Sequence, residues 1–163
     1  MQPTDPHVEN ECRDHLLERL QDRLKPYRIA VAVPEARRGE ETRVDMLLLT
    51  GAGRDLPVEA KRHFHRDIWT AASTQLQGYA AADGADGRGI YLVFWFGNEA
   101  SPTPARPDGS DGPRSARELE SMLVGDLAPD LRAHTDVIVF DVCDRDQRHR
   151  REIERRISQA RAP

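Results

Sequence analysis

Residues 44–61 read Val44-Asp45-Met46-Leu47-Leu48-Leu49-Thr50-Gly51-Ala52-Gly53-Arg54-Asp55-Leu56-Pro57-Val58-Glu59-Ala60-Lys61. Val44 to Leu49 and Leu56 to Lys61 have the composition of strands, and Gly51 and Gly53 permit the positive φ of a tight reversal. A hairpin folded about Ala52 sets Asp45 opposite Glu59. Directly opposed residues stand roughly 4.5–5.5 Å apart at Cβ on the same face. Side chains alternate with period two, so Glu59 and Lys61 share that face. The hairpin thus gathers two carboxylates and an ammonium on one surface, provided the register holds, since a slip of one residue would separate them.

Two carboxylates that close repel unless a cation or proton intervenes. Mg²⁺ suits the arrangement, because it takes oxygen ligands and uses one or two protein carboxylates with water and phosphate. Such a metal polarises a phosphoryl oxygen and lowers the pKa of a bound water. Lys61 could orient that water or offset charge on the phosphate. A cross-strand salt bridge on a half-exposed sheet is the plainer explanation of Asp45, Glu59 and Lys61 taken alone. The apolar run around Asp45 argues against it, because a strand covered on both faces makes an unpaired carboxylate costly.

Upstream, Cys12, Leu16, Leu17, Leu20 and Leu24 recur at helical spacing between Val8 and Leu24, and Pro26 ends that helix. Glu9 falls near the middle of the apolar stripe and Glu11 on the opposite side. Glu9 can therefore reach a site at the edge of the core, or simply complement the helix dipole as a first-turn acid. Downstream, a second helix is predicted from about Arg66 to Ala82, with Ile68, Trp69, Ala72, Leu76 and Tyr79 on one broad face. Gln75 and Tyr79 lie four apart at its edge. Glutamine can donate to a phosphate and accept from a metal-bound water, and a packed tyrosine can hold a partner through its hydroxyl. An ordinary amphipathic helix with a boundary glutamine gives the same pattern.

Glu9, Asp45, Glu59-Ala60-Lys61 and Gln75-Leu76-Gln77-Gly78-Tyr79, in that order, resemble the PD-(D/E)xK nuclease superfamily. The last element is similar to the Q-h-x-x-Y motif of its RecB-type branch, and Val44-Asp45 replaces the nominal Pro-Asp. The resemblance spans roughly Val8 to Phe96. It implies an α/β fold with a restriction-endonuclease-like αβββαβ core, a mixed central sheet flanked by helices, followed here by a C-terminal helix-strand-helix addition. It further implies that Asp45, Glu59 and the Ala60 carbonyl hold Mg²⁺, for which Mn²⁺ can substitute. Lys61 would be the catalytic lysine, Gln75 a catalytic partner, and Glu9 and Tyr79 auxiliary residues. The stretch from Glu59 through Gly97 also resembles nuclease domains at the C-termini of bacterial defence proteins.

The chain of 163 residues fits one domain with a real core, 1–163. Its 24 Lys and Arg against 28 Asp and Glu leave a net charge of −4, so no overall electrostatic footprint for nucleic acid exists. Binding to double-stranded DNA would depend on metal and a local basic patch, for which Arg62 and Arg66 are the candidates. Cys12 and Cys143 sit in apolar-rich segments and read as buried thiols, too few for a four-cysteine iron–sulfur cluster. The absence of a long apolar run or a signal-like start predicts a cytoplasmic protein with no membrane partner.

Strands are also predicted over Tyr27–Val33, Gly89–Phe96 and Asp136–Val142, with a short helix over Arg117–Leu127. Pro34 to Glu41 reads as a polar turn, and Gly97 to Ser115, rich in Pro, Gly, Ser and Asp, as a flexible loop. His63 and His65 would need further ligands to bind zinc, and none stands at a suitable spacing. Arginines from Arg145 to Arg161 form a charged C-terminal helix, a solvated face by default and a nucleic-acid contact otherwise. The sequence therefore carries three readings: a DNA nuclease, a non-cutting nucleic-acid-binding module of the same fold, and an assembly domain. The last would act as a homodimer or attached to a larger sensor protein.

Overall fold

Among the described residues of the computed structural model (6–30, 37–38, 42–43, 45–50, 55–81, 86–99 and 101–143), five strands join in a mixed sheet flanked by helices. Side chains at 6–10, 37–38 and 42–43 are outside this description. Helix α1 spans Pro6–Leu24 and passes into a 3-10 turn at Lys25–Tyr27, where Pro26 interrupts the helix and Arg28 takes a left-handed φ of 57°. Strands β1 (Ile29–Ala30), β4 (Met46–Thr50) and β5 (Asp55–Arg62) pair antiparallel, and β6 (Gly89–Trp95) and β7 (Thr135–Asp141) continue the sheet in parallel. The sheet order is β1-β4-β5-β6-β7. A separate antiparallel ribbon pairs β2 (Arg37–Arg38), which lies inside the stretch Pro34–Glu41 read as a polar turn, with β3 (Thr42–Arg43). No helix of the described residues is long and apolar enough to cross a membrane.

Period-two alternation divides the sheet into two faces. On one, Leu17 of α1 packs with Met46, Val58, Ala60, Leu92 and Phe94. Arg13, one turn before Leu17, is also buried and pairs with Asp14 at 2.9 Å, which the apolar stripe alone did not suggest. On the other face, Tyr91, Val93 and Trp95 meet Ile68, Ala72 and Leu76 together with Leu119, Leu123 and Leu127. The last three come from α3 (Ala116–Asp126) and the residue after it; a short α4 (Pro129–Arg132) then leads into β7. Ser115 caps α3 by accepting the Glu118 N–H at 3.2 Å, while Glu118 accepts the Arg114 N–H, a variant of the capping box.

The strand predicted over Tyr27–Val33 begins only at Ile29, because Tyr27 closes the 3-10 turn and Arg28 is left-handed, and two further elements differ. The second helix does not begin at Arg66: turns fill residues 63–70, a π-helical stretch Ala72–Leu76 follows, and an α-helical turn Gln77–Ala80 completes α2. The Thr70 carbonyl explains the irregularity. It accepts the N–H groups of Ser73 and Thr74 and also both their hydroxyls, at 2.9–3.0 Å, and this local competition distorts the ladder. The loop 97–115 is irregular, as read, but it is fastened rather than loose. Trp69 Nε1 donates to the Pro104 carbonyl at 3.0 Å and Asn98 Nδ2 to that of Pro113 at 2.8 Å. Arg106 lies over the Trp69 ring and bonds Asp126 of α3 at 2.8 Å. Val31–Val33, Val44, the hairpin turn 51–54 and the arginine-rich segment from Arg145 lie outside the described residues.

Candidate active site

Strand β4 pairs with β5 as Met46–Val58, Leu47–Pro57, Leu48–Leu56 and Leu49–Asp55. One step beyond Met46, Asp45 comes level with Glu59, as a hairpin centred on Ala52 requires. Asp45 stands in a bend just ahead of β4, so its carboxylate replaces a strand carbonyl there: Oδ2 accepts the Ala60 N–H at 2.8 Å. Glu59 is 2 % exposed and Lys61 7 %, and Lys61 Nζ donates to Glu59 Oε1. Burial would be prohibitive for either charge alone, so each is the condition for the other. Both lie opposite the face of Val58 and Ala60, in register with Tyr91 and Val93.

Helix α2 covers this charged face. Its Tyr79 is buried, and its hydroxyl is pushed up to about 12 by burial first and then by the negative charges of Glu59 and Asp45. The phenol therefore stays protonated at neutral pH, close enough to the acidic pair to feel its charge. Gln75 is half-buried within the π-helical stretch, one turn before Tyr79. Gly89 sets how closely α2 approaches, for a Cβ there would stand 2.7 Å from Leu76 Cδ1.

The remaining predicted residues separate. Glu9 belongs to α1, which packs on the Val58 and Ala60 face; its side chain lies outside the described residues. Arg62 is buried, in register with Phe94, with its guanidinium 5.0 Å from the Phe64 ring. The alternation that unites Glu59 with Lys61 puts Arg62 on the other face, so it is no surface contact for phosphate beside Lys61. Arg66 is exposed, with Asp67 Oδ2 at 3.4 Å from its Nε. Among the described residues no three His, Cys, Asp or Glu side chains converge as a metal-holding group.

His63 has a structural part that the sequence did not signal. It is fully buried, its Nδ1 accepts the Phe96 N–H at 3.2 Å, and Nε2 is 2.8 Å from the Ser101 carbonyl. With Nδ1 accepting, the proton sits on Nε2 and is donated to Ser101, fastening the 97–115 loop to the end of β5. Burial holds its pKa below the ordinary value, against the opposing effect of the bonds to Ser101 and Phe94. The ring also packs against Trp95, 4.6 Å between centroids.

No curated protein and no solved structure matches the chain. Residues 2–98, which include Asp45, Glu59, Lys61, Gln75 and Tyr79 and stop before α3 and β7, match the model of the family described as a domain of unknown function, DUF8371, and the chain belongs to that family.

Proposed function

We propose that the protein is a metal-dependent nuclease that hydrolyses phosphodiester bonds of DNA, built on a restriction-endonuclease-like αβββαβ core. The observation that carries this reading is the convergence of Asp45, Glu59, Lys61 and Tyr79 on one face of β5. The antiparallel β4–β5 hairpin, followed by a helix and a parallel strand, supports the fold part of the proposal. Two carboxylates in register, with the Ala60 carbonyl between Glu59 and Lys61, form a hard-oxygen donor set that fits Mg²⁺ or Mn²⁺. When bound, the ion supplies polarisation of the phosphate and a more acidic water.

The chain's own groups divide the remaining work. Lys61 keeps an ammonium beside Glu59, where it offsets negative charge developing on the phosphate. Tyr79, protonated throughout the neutral range, keeps the acidic pair covered by a neutral, polar group. Gln75, on the same helix, is available to hold the attacking water or a backbone oxygen. The water oxygen bonds to phosphorus as the P–O3′ bond breaks; the water loses a proton to solvent and the departing 3′ oxygen takes one up from solvent, leaving a 3′ hydroxyl and a 5′ phosphate. Exposed Arg66 takes part in holding the DNA backbone.

A second reading is supported by the direct Lys61–Glu59 ion pair, in which the chain already neutralises its own carboxylate. In that case the fold holds nucleic acid without cutting it. Incubation of supercoiled and linear plasmid with Mg²⁺, Mn²⁺ or EDTA decides between them, beside Asp45→Ala and Lys61→Ala proteins. Metal-dependent nicking abolished in both variants is expected. DNA binding without cleavage under every metal condition would replace the nuclease by the non-cutting module.

A further inference from the structure

The edge strand β7 has two unlike sides. Val137 and Val139 pack with Tyr91, Val93 and the α3 leucines Leu119 and Leu123. Ile138 and Phe140, which alternate with them, and Val142 just beyond the strand stand open, at 38, 41 and 38 % exposure. Their neighbours in register on β6, Leu92 and Phe94, are buried with Leu17 of α1. Among the described residues, then, the cover that α1 gives this side of the sheet stops one strand short of the edge. Three large apolar side chains in one row are a contiguous patch, unlike a single exposed residue, and call for an occupant.

A second copy of the chain fits the row poorly. Glu120 Oε2 already takes the Val139 N–H at 3.1 Å, which impedes addition of a strand along this edge. The row is also narrow beside the roughly 20–30 residues a side of a stable interface between proteins.

The chain that follows β7 fits it better. Residues 144–163 lie outside the described residues, and their sequence carries the complement. At the helical period, Ile153, Ile157 and Ala160 fall on one face, and Arg148, Arg151 and Arg155 on the opposite one. Glu152 stands three residues before Arg155 and four before Arg156, a spacing that supports a helix. So short a helix is marginal in water unless its apolar face is packed. The arginine face is excluded from that role, because burying unpaired charge is costly.

The dimensions agree. Residues 148–161 make about 21 Å of helix, and the strand β7 is about 23 Å long. Ile153 and Ile157 are separated by a rise of about 6 Å, and Phe140 and Ile138 by about 6.6 Å. With the helix reversed along the strand, Arg161, one turn past Ile157, comes level with exposed Asp136, two residues before Ile138. Residues 144–147 reach about 13 Å when extended, which allows the reversal.

We infer that residues 148–161 form an amphipathic helix that returns antiparallel to β7 and seats Ile153, Ile157 and Ala160 on Ile138, Phe140 and Val142. Arg148, Arg151 and Arg155 then face outward. The short tether makes the contact intramolecular and so favours it over any free partner. The inference stands apart from the nuclease reading.

NMR of the full chain with labelled isoleucine methyls and phenylalanine rings tests the seat directly. Nuclear Overhauser contacts from the Ile153 methyl to the Phe140 ring, and between the Ile157 and Ile138 methyls, are expected and should persist unchanged on dilution. Ile138→Ser and Ile157→Ser should each lower the urea midpoint, and the double variant should fall no further than the weaker single one. Ile153 and Ile157 methyls without contacts to β7, or strictly additive losses in the double variant, would overturn the seat. Contacts that vanish on dilution would overturn it too, and would give the face to a second copy of the chain.

Discussion

The two faces of β5 are made from the same eight residues, yet they obey different rules. Val58 and Ala60 point to α1 and join Leu17, Met46, Leu92 and Phe94 in an apolar contact that any well-sized hydrophobic set could make. Glu59 and Lys61 point to α2, as deeply buried, and are tolerated only because each answers the other's charge. A buried ion pair is weak evidence for stability, since apolar residues of similar volume do as well or better. The difference teaches where to look for function: one face of the strand is explained by folding, and the other is not.

Substitution on the charged face should break this contrast most sharply. Glu59→Leu alone leaves the Lys61 ammonium uncompensated and should cost about 3–5 kcal/mol in urea unfolding. The double variant Glu59→Leu/Lys61→Met should recover most of that loss while abolishing plasmid cleavage. On the apolar face, Leu92→Ala should cost about 2–5 kcal/mol through its cavity and leave cleavage by the folded fraction intact. A double variant that stays as unstable as Glu59→Leu would mean that the pair is structural.

A smaller effect is expected where α2 meets the sheet. Gly89→Ala places a methyl into Leu76 and should cost about 1–3 kcal/mol, relieved by adding Leu76→Ala. Because Leu76 lies between Gln75 and Tyr79, cleavage should fall more than stability does. Equal stability of Gly89→Ala and wild type would show that α2 has room to shift.

The electrostatic contrast is sharpened by titration. Tyr79 should ionise near pH 12 in the wild type, and Asp45→Asn or Glu59→Gln should each lower that value, since each removes a negative charge that opposes the phenolate. Ultraviolet absorbance of a protein stripped of its other tyrosines reads this directly. An unchanged value would mean that neither carboxylate faces the ring.

His63 supplies the smallest shift, away from the charged pair. Its folded pKa lies below its ordinary 6.5, so its contribution is present above that pH and lost as pH falls through the folded value. Wild type should therefore lose more stability on acidification than His63→Gln. Parallel pH profiles would remove His63 as the pH-sensitive fastening of the loop.

The sequence disclosed the parts of this arrangement that depend on local rules. Gly51 and Gly53 located the reversal, the reversal set Asp45 level with Glu59, and the apolar run at Gly89–Phe96 marked β6. Alternation could equally have separated Arg62 from Lys61, a signal present in the same six residues. Other features depend on partners distant in the chain. The composition of 97–115 cannot reveal that Trp69 and Asp126 hold its Pro104 and Arg106, nor that the Ser101 carbonyl accepts a hydrogen bond from His63. The π-helical stretch likewise depends on how Ser73 and Thr74 crowd a single carbonyl, which apolar periodicity does not register.

The most direct test of the charged face as a metal-and-phosphate site is calorimetric titration of Mn²⁺ into the wild type, Asp45→Asn and Leu92→Ala proteins, each checked for folding. Saturable binding by wild type and Leu92→Ala, weakened at least about tenfold in Asp45→Asn, is the expected result. Binding absent from the folded wild type, or undiminished in Asp45→Asn, would contradict a metal site at Asp45 and Glu59.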